Sequence, residues 1–177
     1  RAFVLCTSLR AMRRIHELLK ERMARDGADY PLLLQGEGAK TELLARFRLL
    51  GNAVLVASQS FWEGVDVAGE ALQCVILPKL PFRVPTEPIQ EARAEAIAAE
   101  GGNPFMEYSV PQAVIKFRQG FGRLIRRRSD QGAILVLDRR IITKYYGRAF
   151  LDSLPDLRLV RGPRAEVLAA LKDFFDK

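Results

Sequence analysis

The sequence has few residues that could hold a metal or form a catalytic triad. Its 177 residues include two cysteines, one histidine and one tryptophan. Cys6 and Cys74 each lie inside a short apolar run, where a cysteine behaves as a small buried hydrophobe. Two isolated thiols cannot complete a zinc or iron–sulfur ligand set. A Ser/His/Asp triad would have to use His16, the single histidine, which lies in a predicted helix, so we expect no such triad. We therefore expect no metal site in this chain.

Long hydrophobic runs are also missing. No apolar stretch approaches the ~20 residues that a membrane-spanning helix needs, and the first residues lack the charged-then-apolar pattern of a signal peptide. We therefore expect a cytoplasmic protein that does not associate with membranes. The chain begins at Arg1 and enters the apolar run Ala2–Cys6 at once. This start inside a core element predicts a piece of a longer polypeptide.

Negative charge is under-represented relative to positive charge. Lys and Arg total 28 against 21 Asp and Glu, which gives a formal net charge of +7. This excess favours an anionic partner such as a nucleic acid, a nucleotide or an anionic membrane, although many soluble proteins are mildly basic. The hydrophobic fraction of 49% and the length indicate one globular domain spanning residues 1–177.

Short apolar runs rich in β-branched residues alternate with helical patterns along the chain. Strands are predicted at Ala2–Cys6, Pro31–Leu34, Ala53–Ala57, Gln73–Leu77 and Ala133–Leu137. Helices are predicted at Leu9 to about Arg25, Lys40–Leu50, Glu87–Ala99, Pro111 to about Arg128, Ile141–Leu151 and Arg164–Phe175. This alternation indicates an α/β fold, a doubly wound and mostly parallel sheet with helices on both faces. Ligands of such sheets bind beyond the carboxyl ends of the strands.

The helix after Pro111 carries the clearest functional pattern. Its apolar residues share one face at 100° per residue, and a polar stripe lies opposite. The stripe consists of Gln112, Lys116, Gln119, Arg123 and Arg126. Gly120 and Gly122 each cost about 1 kcal/mol relative to Ala inside a helix, and such a glycine usually marks a bend or a close backbone approach. A solvated face is the commoner origin of a polar stripe, but such a face usually carries Glu or Asp at i,i+4 spacing, and none is interleaved with these cations along the helix. An anionic ligand such as a phosphate group would complement the positive charge of this stripe.

A second polar cluster, Ser58 to Asp66, directly follows the predicted strand Ala53–Ala57. Its hydroxyls, amide, carboxylates and aromatic rings can bind a sugar–phosphate backbone, a ribose or a base. The ring of Trp62 is expected in the core. Glu63 and Asp66 flank Gly64 at the ligand-binding edge of the sheet, where a carboxylate pair beside a tight turn has little structural purpose.

Three motifs in order resemble those of the second RecA-like motor domain of superfamily 2 helicases, in the DinG branch of the XPD/DinG family. The run QGFGRLIRR, beginning at Gln119, is similar to the sixth helicase motif of that family. The run SQSFWEGVDVAG, beginning at Ser58, is similar to the fifth, and FVLCTS, beginning at Phe3, resembles the fourth. The resemblance covers essentially the whole chain and implies the three-layer, P-loop NTPase-type fold.

The resemblance also implies roles for individual residues. Arg126 would be an arginine finger that reaches the γ-phosphate of ATP held by the first motor domain. Arg123 would be a second phosphate contact, and Gln119 would orient the reacting groups. A second group would bind the nucleotide or make the affinity for DNA depend on the nucleotide bound; it consists of Glu63, Gly64, Asp66 and Gly122. Residues implied to contact single-stranded DNA are Ser8, Arg10, Ser58 and Ser60.

ATP and Mg²⁺ would be bound mainly by the first RecA-like domain of the same polypeptide. The run Gly36–Thr41 only approximates a P-loop, because Ala39 stands where the motif requires glycine. An iron–sulfur cluster, which many family members carry, would also lie outside this chain. The resemblance therefore implies an ATP-dependent 5′-to-3′ DNA helicase whose isolated second domain is inactive and binds no cofactor alone. We expect a monomer, because no segment of the sequence has the pattern of a symmetric interface.

Two alternatives to a helicase motor stay open from the sequence. The first is a RecA-like module that binds nucleic acid without hydrolysing ATP, although such a module has no use for an arginine finger. The second is the helicase-like part of an exonuclease fusion. The residues that precede Arg1 in the longer polypeptide would distinguish these alternatives from a helicase.

Overall fold

A computed structural model describes residues 1–58, 61, 71–83, 87–125 and 130–176, without the side chain of Arg123. Within these ranges the strands are β1 (Ala2–Cys6), β2 (Leu32–Leu34), β3 (Val54–Ser58), β4 (Cys74–Leu77) and β5 (Ala133–Val136). The α-helices are α1 (Leu9–Asp26), α2 (Lys40–Leu50), α3 (Pro88–Ala99), α4 (Val110–Leu124), α5 (Arg140–Thr143), α6 (Gly147–Asp152) and α7 (Arg164–Phe175).

The five strands form one sheet in the order β2-β3-β1-β4-β5, and every pair of neighbours is parallel. In the register of this sheet Phe3 lies opposite Leu55 on one side and Val75 on the other. The predicted α/β fold is therefore confirmed, and the sheet is entirely parallel in the described part of the chain. No strand boundary differs from the predicted one by more than one residue.

Helices cover both faces of the sheet because successive side chains of a strand point to opposite sides. Phe3 and Leu5 of β1 face the larger core, which includes Phe47 of α2 and Phe117 of α4. The intervening residues Val4 and Cys6 face the smaller core, to which α1 contributes Met12. The chain moves in opposite directions across the sheet from β1 to β2 and from β2 to β3. Right-handed crossovers then place α1 and α2 on opposite faces.

The boundaries of α1 follow from its end residues. The side chain of Ser8 accepts a hydrogen bond from the backbone N–H of Ala11 at 3.2 Å, the usual arrangement of an N-cap. Gly27 ends the helix with a φ of 67°, a left-handed conformation that glycine adopts without steric cost. The predicted span, Leu9 to about Arg25, is confirmed to within one residue.

The predicted helix Ile141–Leu151 is wrong, because the structure divides it into α5 and α6. Lys144 at the end of α5 has extended backbone angles, and the chain turns before Gly147 begins α6. A Cβ atom at Gly147 would overlap the carbonyl oxygen of Ile141. The two short helices therefore depend on glycine at this position, where their backbones meet.

The helix predicted from Pro111 to about Arg128 begins at Val110 and is preceded by a π-helical turn, Phe105–Ser109. Asn103 starts this turn, since its side-chain oxygen accepts hydrogen bonds from the backbone of Phe105 at 3.1 Å and of Met106 at 3.2 Å. The described helix ends at Leu124, and residues 126–129 lie outside the described ranges.

Candidate functional site

All five strands end at the same edge of the sheet, because they are parallel. Ser8 follows β1, Gln35 follows β2, Ser58 ends β3, Leu80 follows β4 by a short loop, and Asp138 follows β5. This carboxyl edge is where α/β proteins of this architecture bind their ligands. The polar residues that follow the strands are therefore brought to one edge of the sheet.

The predicted amphipathic face of α4 is confirmed. Val110, Phe117 and Leu124 are buried in the larger core, whereas Gln119 is exposed. A Cβ atom built on Gly122 meets no atom of the described residues within 4 Å. The glycine thus leaves an open surface beside Gln119 rather than a close contact inside this part of the molecule.

Several predicted site residues lie outside the described residues. They are Ser60, Glu63, Gly64, Asp66 and Arg126, and the side chain of Arg123 is likewise outside. Their assignments remain predictions. The backbone of Arg123 belongs to the last turn of α4.

The start of α1 presents two of the predicted nucleic-acid contacts. Ser8 and Arg10 are both exposed. The first backbone N–H groups of an α-helix point toward its N-terminus, where the helix dipole favours an anion. At this position α1 combines such N–H groups with a hydroxyl and a cation, a set of donors that suits a phosphate group.

Ser58 is only 8% exposed and has a well-defined partner. The side-chain oxygen of Gln35 accepts hydrogen bonds from the backbone N–H of Ser58 at 2.7 Å and from its hydroxyl at 3.0 Å. Ser58 therefore holds Gln35 across the carboxyl ends of β2 and β3. The sequence offered one signal for Gln35, its place directly after a strand.

The run that approximates a P-loop, Gly36 to Thr41, enters α2 at Lys40. The ammonium group of Lys40 lies 5.2 Å from the centre of the Phe61 ring, a cation–π distance. This lysine therefore packs against an aromatic side chain of the same domain.

An ion pair at the end of β5 was not foreseen from the sequence. The carboxylate of Asp138 is 8% exposed and accepts hydrogen bonds from the guanidinium of Arg140, with a shortest N···O distance of 2.6 Å. It also accepts from the backbone N–H of Leu80 at 2.9 Å and of Arg140 at 3.0 Å. Burial by itself raises the pKa of Asp138, but these hydrogen bonds and the Arg140 charge outweigh it and lower the pKa below its usual range.

A cluster of aromatic rings adjoins this ion pair. Phe82 stacks on Phe105 with 5.5 Å between ring centres, and it meets the edges of Tyr146 at 5.6 Å and Phe150 at 5.8 Å. Phe150 in turn meets Phe117 of α4 at 5.4 Å. The cluster therefore connects the segment after β4, the π-helical turn, α4 and α6.

The two cysteines, buried Cys6 and half-buried Cys74, are thiols of low reactivity. Burial raises the pKa of Cys6 and of Cys74 to about 11, so almost no thiolate is present at neutral pH. Throughout residues 1–58, 71–83, 87–125 and 130–176, no group of three His, Cys, Asp or Glu side chains could hold a metal ion. In the same ranges no helix is both long and apolar enough to span a membrane.

The parallel sheet, its strand order and its polar carboxyl edge define an α/β domain of the RecA-like class. A solved XPD helicase chain shares this fold with a TM-score of 0.61 and 18% identity, over 89% of this chain and 28% of that one. The solved Xpd4 of S. tokodaii gives a TM-score of 0.56 at 18% identity, over 85% of this chain and 28% of that one. At such identities the likeness shows the fold alone.

Residues 1–157 match the family model of the helicase C-terminal domain, so this chain belongs to the helicase C-terminal domain family. It is 47% identical to the ATP-dependent DNA helicase YoaA of Haemophilus influenzae over 156 residues, which are 88% of this chain and 24% of that protein. It is 44% identical to the 3′-5′ exonuclease DinG of Bacillus subtilis over 154 residues, which are 86% of this chain and 16% of that protein. The resemblance read from the motifs is therefore confirmed. The chain spans about a quarter or less of the length of these relatives.

Proposed function

We propose that this chain is the second motor domain of an ATP-dependent DNA helicase and that it supplies an arginine finger to an ATP site shared with the first RecA-like domain. The observation that carries this proposal is the geometry of α4. The helix buries its apolar face in the core and leaves Gln119 and the open surface at Gly122 toward solvent. These residues belong to the run that is similar to the sixth helicase motif.

In this proposal the chain acts on ATP through side chains that stabilise charge. Arg126 and Arg123 contact the phosphates, and Gln119 orients the reacting groups. In phosphoryl transfer catalysis is almost entirely positioning and electrostatic stabilisation, so a guanidinium delivered from a second domain is an effective catalyst. ATP and Mg²⁺ are held mainly by the first domain. The two cysteines of this chain lie in strands β1 and β4 and do not form an iron–sulfur ligand set.

The nucleic-acid side of the proposal uses the carboxyl edge near β1 and β3. Ser8 and Arg10 contact phosphates of single-stranded DNA at the start of α1, and Ser60 extends this track after β3. Ser58 would join the track only by exchanging its hydrogen bond to Gln35 for one to a phosphate. The segment with Glu63, Gly64 and Asp66 lies in sequence between these DNA contacts and the phosphate contacts of α4. In this proposal it makes the affinity for DNA depend on the bound nucleotide. Several relatives are named ATP-dependent DNA helicases, which supports DNA as the polymer.

The remaining features of the proposal follow from the family. The full-length helicase moves 5′ to 3′, acts as a monomer in the cytoplasm, and requires the first domain for turnover. The exonuclease fusion is a second candidate, because the Bacillus subtilis relative is named a 3′-5′ exonuclease. In that case the helicase-like domains would serve a nuclease in the same polypeptide.

The proposal is tested by comparing the isolated 177-residue chain with the full-length protein. We expect the isolated chain to hydrolyse no ATP above background with or without single-stranded DNA, because the residues that hold ATP and Mg²⁺ belong to the first domain. The full-length protein should show DNA-stimulated ATP hydrolysis and unwind a duplex with a 5′ tail. Hydrolysis by the isolated chain would contradict the shared ATP site, and binding without hydrolysis by the full-length protein would favour the passive module.

Arg10→Ala in the full-length protein should weaken single-stranded DNA binding and reduce its salt dependence. The loss of one phosphate contact lowers the slope of log K against log salt by about 0.7 for a single strand. The measurement is a titration of a fluorescent oligonucleotide at several salt concentrations. Lys20→Ala is the matched control, because Lys20 is an exposed cation toward the other end of α1. Equal effects of both substitutions would indicate a general charge effect instead of a contact.

A further inference from the structure

The ion pair of Asp138 and Arg140 joins two segments that are far apart in sequence. Asp138 directly follows the edge strand β5, and the backbone N–H it binds belongs to Leu80, 58 residues earlier. Leu80 is buried in the larger core beyond the end of β4. A buried N–H without a partner is costly, so the Asp138 carboxylate holds this loop in one conformation at the carboxyl edge.

The Arg140 guanidinium extends this connection to the aromatic cluster. It binds both carboxylate oxygens of Asp138, through Nε at 3.0 Å and Nη2 at 2.6 Å. Its central carbon lies 5.4 Å from the centre of the Phe82 ring, a cation–π distance. Such a fork fixes geometry in a way that a lysine cannot, because a guanidinium is planar and bidentate.

The aromatic cluster carries the connection to α4 at two places. Phe82 stacks on Phe105, in the π-helical turn that immediately precedes α4. Phe82 also contacts Phe150, which contacts Phe117 in the middle of α4. Phe117 lies two positions before Gln119 on the same helix. The orientation of the helix that bears the sixth-motif residues therefore depends on where the Phe82 ring is held.

We propose that Asp138 and Arg140 are positioning residues for ATP hydrolysis, which hold α4 in the orientation that aligns Gln119 and the motif arginines with the nucleotide. This inference rests on the proposed function of the chain. The partly exposed pair has little value as a source of stability alone, because desolvation of two charges offsets much of their attraction. Its bidentate geometry and its place between β4, β5 and α6 instead suit a role in fixing the orientation of α4.

The test uses the full-length helicase with Asp138→Asn and, separately, Arg140→Lys. We expect kcat of DNA-stimulated ATP hydrolysis to fall roughly 10-fold to 100-fold in Asp138→Asn, because small misplacements of catalytic groups have effects of this size. The KM for ATP and the Kd for single-stranded DNA should stay within about twofold. Arg140→Lys should fall between this variant and the unmutated enzyme, because it keeps the charge but loses the fork.

Arg148→Gln is the matched control, because it breaks an exposed Arg–Asp pair in the adjacent helix, Arg148 with Asp152 at 3.2 Å. This variant should keep the kcat of the unmutated enzyme. All assays are run well below the melting temperature of each variant, so that loss of folded protein does not enter kcat. A nitroxide on Ile115→Cys of α4 should gain mobility in Asp138→Asn, whereas one on Leu49→Cys of α2 should not.

An unchanged kcat in Asp138→Asn would overturn the positioning role. So would a loss of kcat no larger than that of Arg148→Gln, or a rise in KM of the same size as the fall in kcat. Arg126→Ala is assayed beside these variants. If it abolishes hydrolysis while Asp138→Asn has no effect, only the positioning proposal fails. If Arg126→Ala itself leaves hydrolysis unchanged, the arginine-finger part of the proposed function fails instead.

Discussion

Replacing Arg126 with alanine in the full-length helicase should abolish DNA-stimulated ATP hydrolysis while ATP binding stays nearly unchanged. An arginine finger stabilises charge that develops on the transferred phosphoryl group, and it contributes roughly 10³-fold to 10⁵-fold to the rate. This range corresponds to about 4–7 kcal/mol of transition-state stabilisation. Because the proposed function assigns most of the nucleotide contacts to the first domain, removal of the finger should lower kcat far more than it raises the Kd for ATP.

The measurement is steady-state hydrolysis together with binding of a fluorescent ATP analogue. Arg118→Ala is the matched control, because Arg118 is an exposed arginine of α4 outside the polar stripe that contains Gln119. It should keep turnover within about twofold of the unmutated enzyme, since exposed substitutions away from a site have small effects. Turnover close to normal in Arg126→Ala would remove the finger assignment.

Phe150→Ala should destabilise the domain by about 3–5 kcal/mol, the usual cost of removing a buried phenylalanine from a core. The Phe150 side chain is 0% exposed, and its ring contacts Phe82 and Phe117. The substitution therefore removes buried apolar surface and leaves a cavity between α4 and α6. For a domain of ordinary stability this loss is a large fraction of the total.

The measurement is urea unfolding of the 177-residue chain followed by circular dichroism. Phe175→Ala is the control, because Phe175 in α7 is 42% exposed. Its cost should stay below about 1 kcal/mol. Similar midpoints for the two variants would show that the ring cluster around Phe150 is not a cooperative part of the core.

The elements of the fold were predicted well where their signals are local. The strands β1 to β5 appear in the sequence as short apolar runs, because both faces of a parallel sheet are buried. The span of α1 follows from Ser8 as N-cap and Gly27 as the left-handed C-cap. The amphipathic pattern of α4 was also readable, since the period of a helix assigns each of its residues to a face.

The elements that were predicted wrongly depend on contacts between distant segments. The single helix expected over Ile141–Leu151 continues an apolar pattern, but the aromatic cluster captures Tyr146 and the chain turns there. The π-helical turn Phe105–Ser109 likewise has no local signal that separates it from the helix that follows. In both places the packing against Phe82 decides the backbone path.

In the candidate site, too, the sequence indicates individual residues, whereas the contacts between them depend on the tertiary structure. Gln119 could be selected from the polar stripe of the predicted helix, whereas Gly122, Ser8 and Arg10 were selected through the resemblance to the helicase motifs, and their roles stay predictions. The position of Gln35, Ser58, Asp138 and Arg140 after strands was visible in the sequence, but the hydrogen bonds of Ser58 to Gln35 and of Arg140 to Asp138 were not. A carboxylate that binds a backbone N–H 58 residues earlier has no sequence signature, because only the order of strands brings the two ends together.

Residue pattern alone was therefore sufficient for the fold class, the faces of its helices and the family of this chain. These properties follow from hydrophobic periodicity and from short motifs, both of which are local in sequence. Tertiary structure decided how the carboxyl edge is held together, through a buried carboxylate, its arginine and a ring cluster that reaches α4. These contacts join β4, β5, α4 and α6, and they exist only after the sheet has brought those segments together in space.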